Sequence, residues 1–172
     1  SALVVLDTTK AVTDPMNAVL NRLRLGRSPE VVAADPLGQF VYVGRHGHGE
    51  LLILDAAGAP ALTQVAVLGV GRKPKGIAIR FDGSLIYVSN HESDDVTVIS
   101  RNGSTHTILD PSVPVERKPL GIGILPEGTK VYVANERSDT VSVIEAGGNT
   151  VVGSIPVGDG PRRITVGKVP KE

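Results

Sequence analysis

The 172-residue chain contains no cysteine and no tryptophan. Without thiols, disulfide staples, thiolate zinc sites, iron-sulfur ligation and cysteine nucleophiles are all excluded, and the redox compartment leaves no mark on the sequence. Three Tyr and two Phe are the only aromatic side chains. That is too few for a base-stacking platform on single-stranded nucleic acid or for tryptophan-marked repeats. Charge of one sign is lacking as well: Lys and Arg total 18, Asp and Glu 18, so no net field draws the chain toward nucleic acid or an anionic membrane. No apolar run approaches the roughly eighteen residues of a membrane span. The chain opens at Ser1 with no secretory leader, which reads as a mature or cut product.

What the chain does have is glycine (20), proline (12) and an internal repeat. SPEVVAADPLGQFVYVGRHGHGELLIL, KPKGIAIRFDGSLIYVSNHESDDVTVI and KPLGIGILPEGTKVYVANERSDTVSVI superimpose without a gap. Gly38, Gly83 and Gly128 are equivalent, as are Tyr42, Tyr87 and Tyr132, and Pro29, Pro74 and Pro119; every marker returns a period of 45 residues. Within a unit the apolar stretches are short and β-branched, bounded by Gly, Pro, Asn or Asp, which reads as strands. In the second unit these are expected at 76–80, 85–89, 95–100 and 105–109, and are called a, b, c and d. The a–b turns end in Gly38, Gly83 and Gly128, and Asn102-Gly103 marks a c–d hairpin.

A four-stranded antiparallel unit of this length, repeated, predicts an all-β fold: a β-propeller of four-stranded blades. Complete blades are expected at about 29–73, 74–118 and 119–160. Partial blades are expected at 1–28 (strands c and d, with an insertion near Asp14-Pro15) and 161–172 (strand a alone). The ends leave one strand missing from a four-bladed ring, so the chain is expected to form part of a larger propeller or to be completed by a second chain. Val31, Ile77, Ile79, Tyr87, Val98, Ile122, Ile124, Tyr132 and Val143 are the expected inward-facing residues.

Lys130-Val-Tyr-Val-Ala-Asn135, Ser138-Asp-Thr-Val-Ser-Val-Ile144 and Thr150-Val-Val-Gly-Ser-Ile-Pro-Val-Gly158 closely resemble the YVTN family of β-propeller repeats. Leu85-Ile-Tyr-Val-Ser-Asn90 repeats the motif, while Phe40-Val-Tyr-Val-Gly44 departs from it at the b–c loop. The resemblance implies a bacterial or archaeal protein, often exported, usually seven-bladed, and often a binding or accessory module. It implies no catalytic residue, because the motif consists of strand and turn positions.

No phosphate-binding glycine fingerprint is present. His46 and His48, with His91 one repeat later, have a spacing that suits a metal or haem, without a carboxylate at a settled offset. Ser104, His106 and Asp110 lie close in sequence but read as turn residues, since a triad is defined by geometry. Asn102-Gly103-Ser104 matches a glycosylation sequon and reads first as a tight turn.

The d–a loops are more informative. They carry Arg27, Arg72, Lys73, Lys75, Arg117, Lys118, Arg162 and Arg163 against Glu30, Glu116 and Asp159. The b–c loops carry the opposite bias, Arg45 and Arg137 against Glu50, Glu92, Asp94, Asp95, Glu136 and Asp139. Both sets emerge on one face of a propeller, so Arg72, Lys73, Lys75, Arg117, Lys118, Arg162 and Arg163 are expected to ring the channel mouth as an anion site. The functional expectation is a non-catalytic periplasmic or extracellular binding module, without a cofactor, that offers this ring to a protein partner or a small anion. A propeller holding d-type haem or serving a quinoprotein, and a propeller lyase, are the alternatives.

Overall fold

The computed structural model describes residues 2–14, 17–26 and 28–167. Three antiparallel sheets of four strands follow one another along the chain, each strand pairing with its sequence neighbour. The first holds β3 (Pro29–Ala34), β4 (Phe40–Arg45), β5 (Glu50–Asp55) and β6 (Thr63–Gly69). The second holds β7 (Pro74–Ile79), β8 (Leu85–Asn90), β9 (Asp95–Asn102) and β10 (Thr105–Pro114). The third holds β11 (Pro119–Ile124), β12 (Lys130–Asn135), β13 (Thr140–Glu145) and β14 (Thr150–Pro156). Ahead of them β1 (Ala2–Leu6) and β2 (Val19–Arg24) form a two-stranded ribbon. This is the expected blade architecture, and the register repeats with it: Tyr42 lies opposite Ile53, Tyr87 opposite Val98 and Tyr132 opposite Val143.

Each sheet carries apolar residues on both faces of its middle strands, and the first and second are covered on either side, the first by the ribbon and the second blade, the second by the blades flanking it. The core therefore lies in the seams. Phe40, Tyr42, Leu51 and Ile53 of the first blade pack on Ile86, Val88 and Ile99 of the second. Tyr87, Val96, Val98 and Val113 of the second pack on Val131, Val133 and Ile144 of the third. The innermost strands β3, β7 and β11 lie side by side. Glycine permits that approach: a Cβ at Gly76 of β7 would collide with the carbonyl oxygen of Leu120 on β11.

Several local expectations change. Residues 161–167 lie against Gly121 and Gly123, as an inner strand should, but form no ladder. A strand needs a hydrogen-bonded neighbour, and none of the described residues supplies the b strand beside them. The insertion contains a short helix, α1 (Thr8–Thr13), whose Lys10 N–H is capped by the Asp7 carboxylate at 3.0 Å. In the second blade the d strand continues to Pro114, past a break in register between Leu109 and Val113. Tyr87, Val98 and Val143 are buried as expected. Val31, Ile77, Ile79, Ile122 and Ile124 are only half-buried, since the innermost strands turn one face to the channel, and so is Tyr132. No helix among the described residues is long and apolar enough to cross a membrane.

Candidate functional site

The b–c and d–a loops meet at one end of the blades, and the repeat motif explains how. Asn90 and Asn135, both fully buried, end their b strands. Asn90 donates to Asp95 and Thr97, each at 2.8 Å; Asn135 donates to Thr140 at 3.1 Å and Ser142 at 2.8 Å. In the loops that follow, Ser93 and Ser138 accept the N–H groups of Arg72 and Arg117. Asp94 and Asp139 accept those of Lys118 and Gly160. The amide nitrogens, hydroxyls and carboxylates of the motif are thus tied to backbone or to their own hairpin, which is architecture rather than chemistry, while the buried Oδ1 atoms of Asn90 and Asn135 have no partner among the described residues.

The charged side chains above this frame are interleaved rather than ringed by one sign. Lys75 of the second blade holds Glu30 of the first at 2.6 Å, and its hydrogen bond and charge keep the Glu30 carboxyl below the ordinary carboxylate range. Lys73 grips Glu92, whose carboxyl it lowers in the same way. Arg162 meets Glu136 at 2.8 Å, while the other Glu136 oxygen lies 3.5 Å from His91 Nε2. Burial pushes the His91 imidazole below its usual pKa, overcoming the upward pull of Glu136, and nearby Lys118 and Lys75 push the same way. His91 is therefore neutral near pH 7, facing a carboxylate and flanked by cations.

Of the expected bases, Lys73, Lys75 and Arg162 are drawn into ion pairs, whereas Arg117, Lys118 and Arg163 make none among the described residues. Arg27 lies outside the described residues. His46 and His48 line one depression with Arg72, and His91 turns instead to Glu136. Among the described residues no group of three or more His, Asp or Glu is placed to hold a metal. Ser104, His106 and Asp110 form no triad: His106 Nδ1 donates to the Ser104 carbonyl, and Asp110 lines a separate groove beside β14.

The sequence missed a buried network at the opposite end of the first seam. The Asp35 carboxylate is fully buried and lies 3.5 Å from Arg101, which also donates to Gln39 at 2.7 Å and covers the Phe40 ring. Alongside, the Tyr42 hydroxyl lies 3.0 Å from His106 Nε2. Positions 35 and 101 do not repeat, being Arg80 and Leu125, and Ala146, in the later units. Breaks in the period were the available signal.

Residues 26–116 match the family model described as lactonase, 7-bladed beta-propeller. No curated protein matches the chain. Among solved structures, a candidate 6-phosphogluconolactonase of Bacteroides fragilis is 17% identical with a TM-score of 0.79, covering 93% of this chain and 49% of its own. The periplasmic gluconolactonase of Pseudomonas aeruginosa is 16% identical with a TM-score of 0.77, covering 92% and 49%. The hydrazine synthase of Kuenenia stuttgartiensis is 26% identical with a TM-score of 0.71, covering 79% and 38%. The chain thus spans half or less of the structures it resembles. The match to a family of lactonases corrects the expectation of a non-catalytic binding module. The physical counterpart of that correction is the pairing of bases with Glu30, Glu92 and Glu136, which leaves no uninterrupted basic ring to present.

Proposed function

Because the chain belongs to the lactonase family of seven-bladed β-propellers, we propose that it forms part of the ring of a hydrolase that opens a lactone. The observation that carries this reading is the row His91–Glu136–Arg162 with Lys75 and Lys118 beside it. Hydrolysis of a lactone needs a group to take a proton from water, a cation to stabilise the oxyanion, and a proton returned to the leaving ring oxygen. Glu136 and neutral His91 are the proton-accepting pair. Water adds to the carbonyl carbon, the ring C–O bond breaks, and the proton held by the pair passes to the departing alkoxide, leaving a hydroxy acid. Lys75, Lys118 and Arg162 supply positive charge for the oxyanion, and Arg117 and Arg163 extend it to an acidic substituent such as the phosphate in the name of the Bacteroides relative. The periplasmic gluconolactonase and the YVTN-like repeat support a site outside the cytoplasm, and a further chain or segment would complete the ring.

The test is a pH-stat assay of gluconolactone and 6-phosphogluconolactone hydrolysis, corrected for the spontaneous rate. Glu136→Gln should lower the enzymatic rate by about 100-fold or more, the usual worth of a positioned acid-base group. The native rate should fall on acidification only below the ordinary histidine range, because the His91 pKa is lowered. A native rate equal to background, or one that Glu136→Gln leaves unchanged, would remove the assignment.

A further inference from the structure

The first b–c loop departs from the other two at the position where they act alike. Asp94 accepts the Lys118 N–H at 2.8 Å and Asp139 the Gly160 N–H at 2.9 Å. Both acids have left-handed backbones, with φ of 57° and 55°. One repeat earlier stands Gly49, with φ of 62°. Its carbonyl accepts the Val70 N–H at 2.8 Å, just as the carbonyls of Asp94 and Asp139 accept from Val115 and Val157. The loop frame is kept and only the carboxylate is gone. Lys73, the counterpart of Lys118 with φ of 55° against 58°, has no side chain at position 49 to cap its N–H.

A depression of about 380 Å³ lies beside the vacated position, lined by His46, His48, Gly49, Arg72, Lys73 and Glu92. His46 occupies the position of His91 and Glu136, and His48 that of Ser93 and Ser138, so both histidines stand at the rim of the depression in place of shorter or acidic side chains of the third loop. The Glu92 carboxylate is countered by Lys73. Arg72 donates to the Glu92 carbonyl at 2.7 Å and makes no ion pair among the described residues. One positive charge is left over.

We propose that this seam between the first and second blades binds a small monocarboxylate, which takes the place of the missing aspartate side chain. The carboxylate accepts the Lys73 N–H, as Asp94 accepts that of Lys118, and a charge-assisted bond from Arg72, with His46 and His48 as further donors at its rim. Glu92 in the lining disfavours a second negative charge. The site shares no group with the His91–Glu136 pair and does not depend on the lactonase reading.

Titration of the isotopically labelled protein with acetate at constant ionic strength, followed by amide NMR, tests this. The Lys73 and Gly49 amides should shift saturably with acetate. Gly49→Asp, which restores the acid of the other loops, should move the Lys73 amide in the same direction without acetate. That variant and Arg72→Gln should each weaken acetate at least about tenfold, the loss expected for a hydrogen bond to a charged group. A Cβ at position 49 stands 3.1 Å from the Gly71 carbonyl oxygen, so the loop must yield by a few tenths of an ångström. Arg72→Gln decides the matter should Gly49→Asp not fold. Absence of a saturable shift at Lys73, tighter binding of phosphate than of acetate, or unchanged affinity in Arg72→Gln would overturn the proposal.

Discussion

His106 is the side chain whose protonation state the first seam dictates. Its Nδ1 faces the Ser104 carbonyl at 3.1 Å and must carry hydrogen there, which leaves Nε2 bare to accept the Tyr42 hydroxyl. Burial holds its pKa below the ordinary value against the upward pull of the Ser104 carbonyl, while Arg101 pushes it further down and Asp35 acts weakly upward. A second proton would turn Nε2 into a donor and leave the hydroxyl hydrogen of fully buried Tyr42 without an acceptor. With the folded pKa lowered, the unfolded chain binds more protons as pH falls through the histidine range, so the stability is present above that range and lost on acidification. His91 acts in the same direction. The second seam suggests the control, because there Asn149 accepts the Tyr87 hydroxyl at 3.1 Å and cannot titrate. His106→Asn should lose less stability than the native chain between pH 7 and pH 5, as read from thermal midpoints. An equal loss in both proteins would show that the imidazole is not neutral in the folded state.

At the scale of the element, the repeat is a set of strands whose ends are fastened by the same few polar residues. Asn135 closes the b strand by donating to hydroxyls on the paired c strand, so its removal leaves Thr140 and Ser142 short of a donor in a buried place. Thr140 also donates to Glu116 at 3.0 Å, which links this hairpin to the loop leading into its own blade. Asn135→Ala should destabilise the protein by about 1–3 kcal/mol in urea unfolding, the usual cost of leaving buried polar groups unsatisfied. A change below about 0.5 kcal/mol would mean that solvent replaces the amide. The period made these elements visible in advance, since turn glycines and β-branched runs are local signals. The failure of 161–167 to form a ladder was not visible, because strand pairing depends on a neighbour rather than on the segment's own residues.

For the whole molecule, the seams define how blades recognise one another. Tyr42 and Tyr87 each reach across to the c–d hairpin of the following blade, meeting His106 and Asn149. Tyr132 occupies the same position in the third blade but is half-buried and has no hydrogen bond from its hydroxyl to any described residue. Val151, Val152 and Ile155 on β14 of the same blade are exposed. Tyr87→Phe should therefore cost about 1 kcal/mol and Tyr132→Phe only a few tenths, in denaturant unfolding of this chain. Equal costs would show that Tyr132 has a partner, and with it that a further blade or second chain covers the third.

What the sequence alone determined is the blade. Period, strand spacing, turn glycines and the polar loop residues are encoded within 45 residues and recur, so each unit confirms the reading of the others. What only the tertiary structure decided is the pairing between blades. Lys75 with Glu30 and His91 with Glu136 join residues 45 apart, and Tyr42 with His106 joins residues 64 apart. Composition and charge bias placed acids and bases on one face without saying which would neutralise which, because that depends on the rotation of one blade against the next. The same limit hid the missing cap on the Lys73 N–H beside Gly49. A glycine in a loop carries no signal in sequence, and gains meaning only when the two equivalent loops show an aspartate holding a backbone N–H at that point.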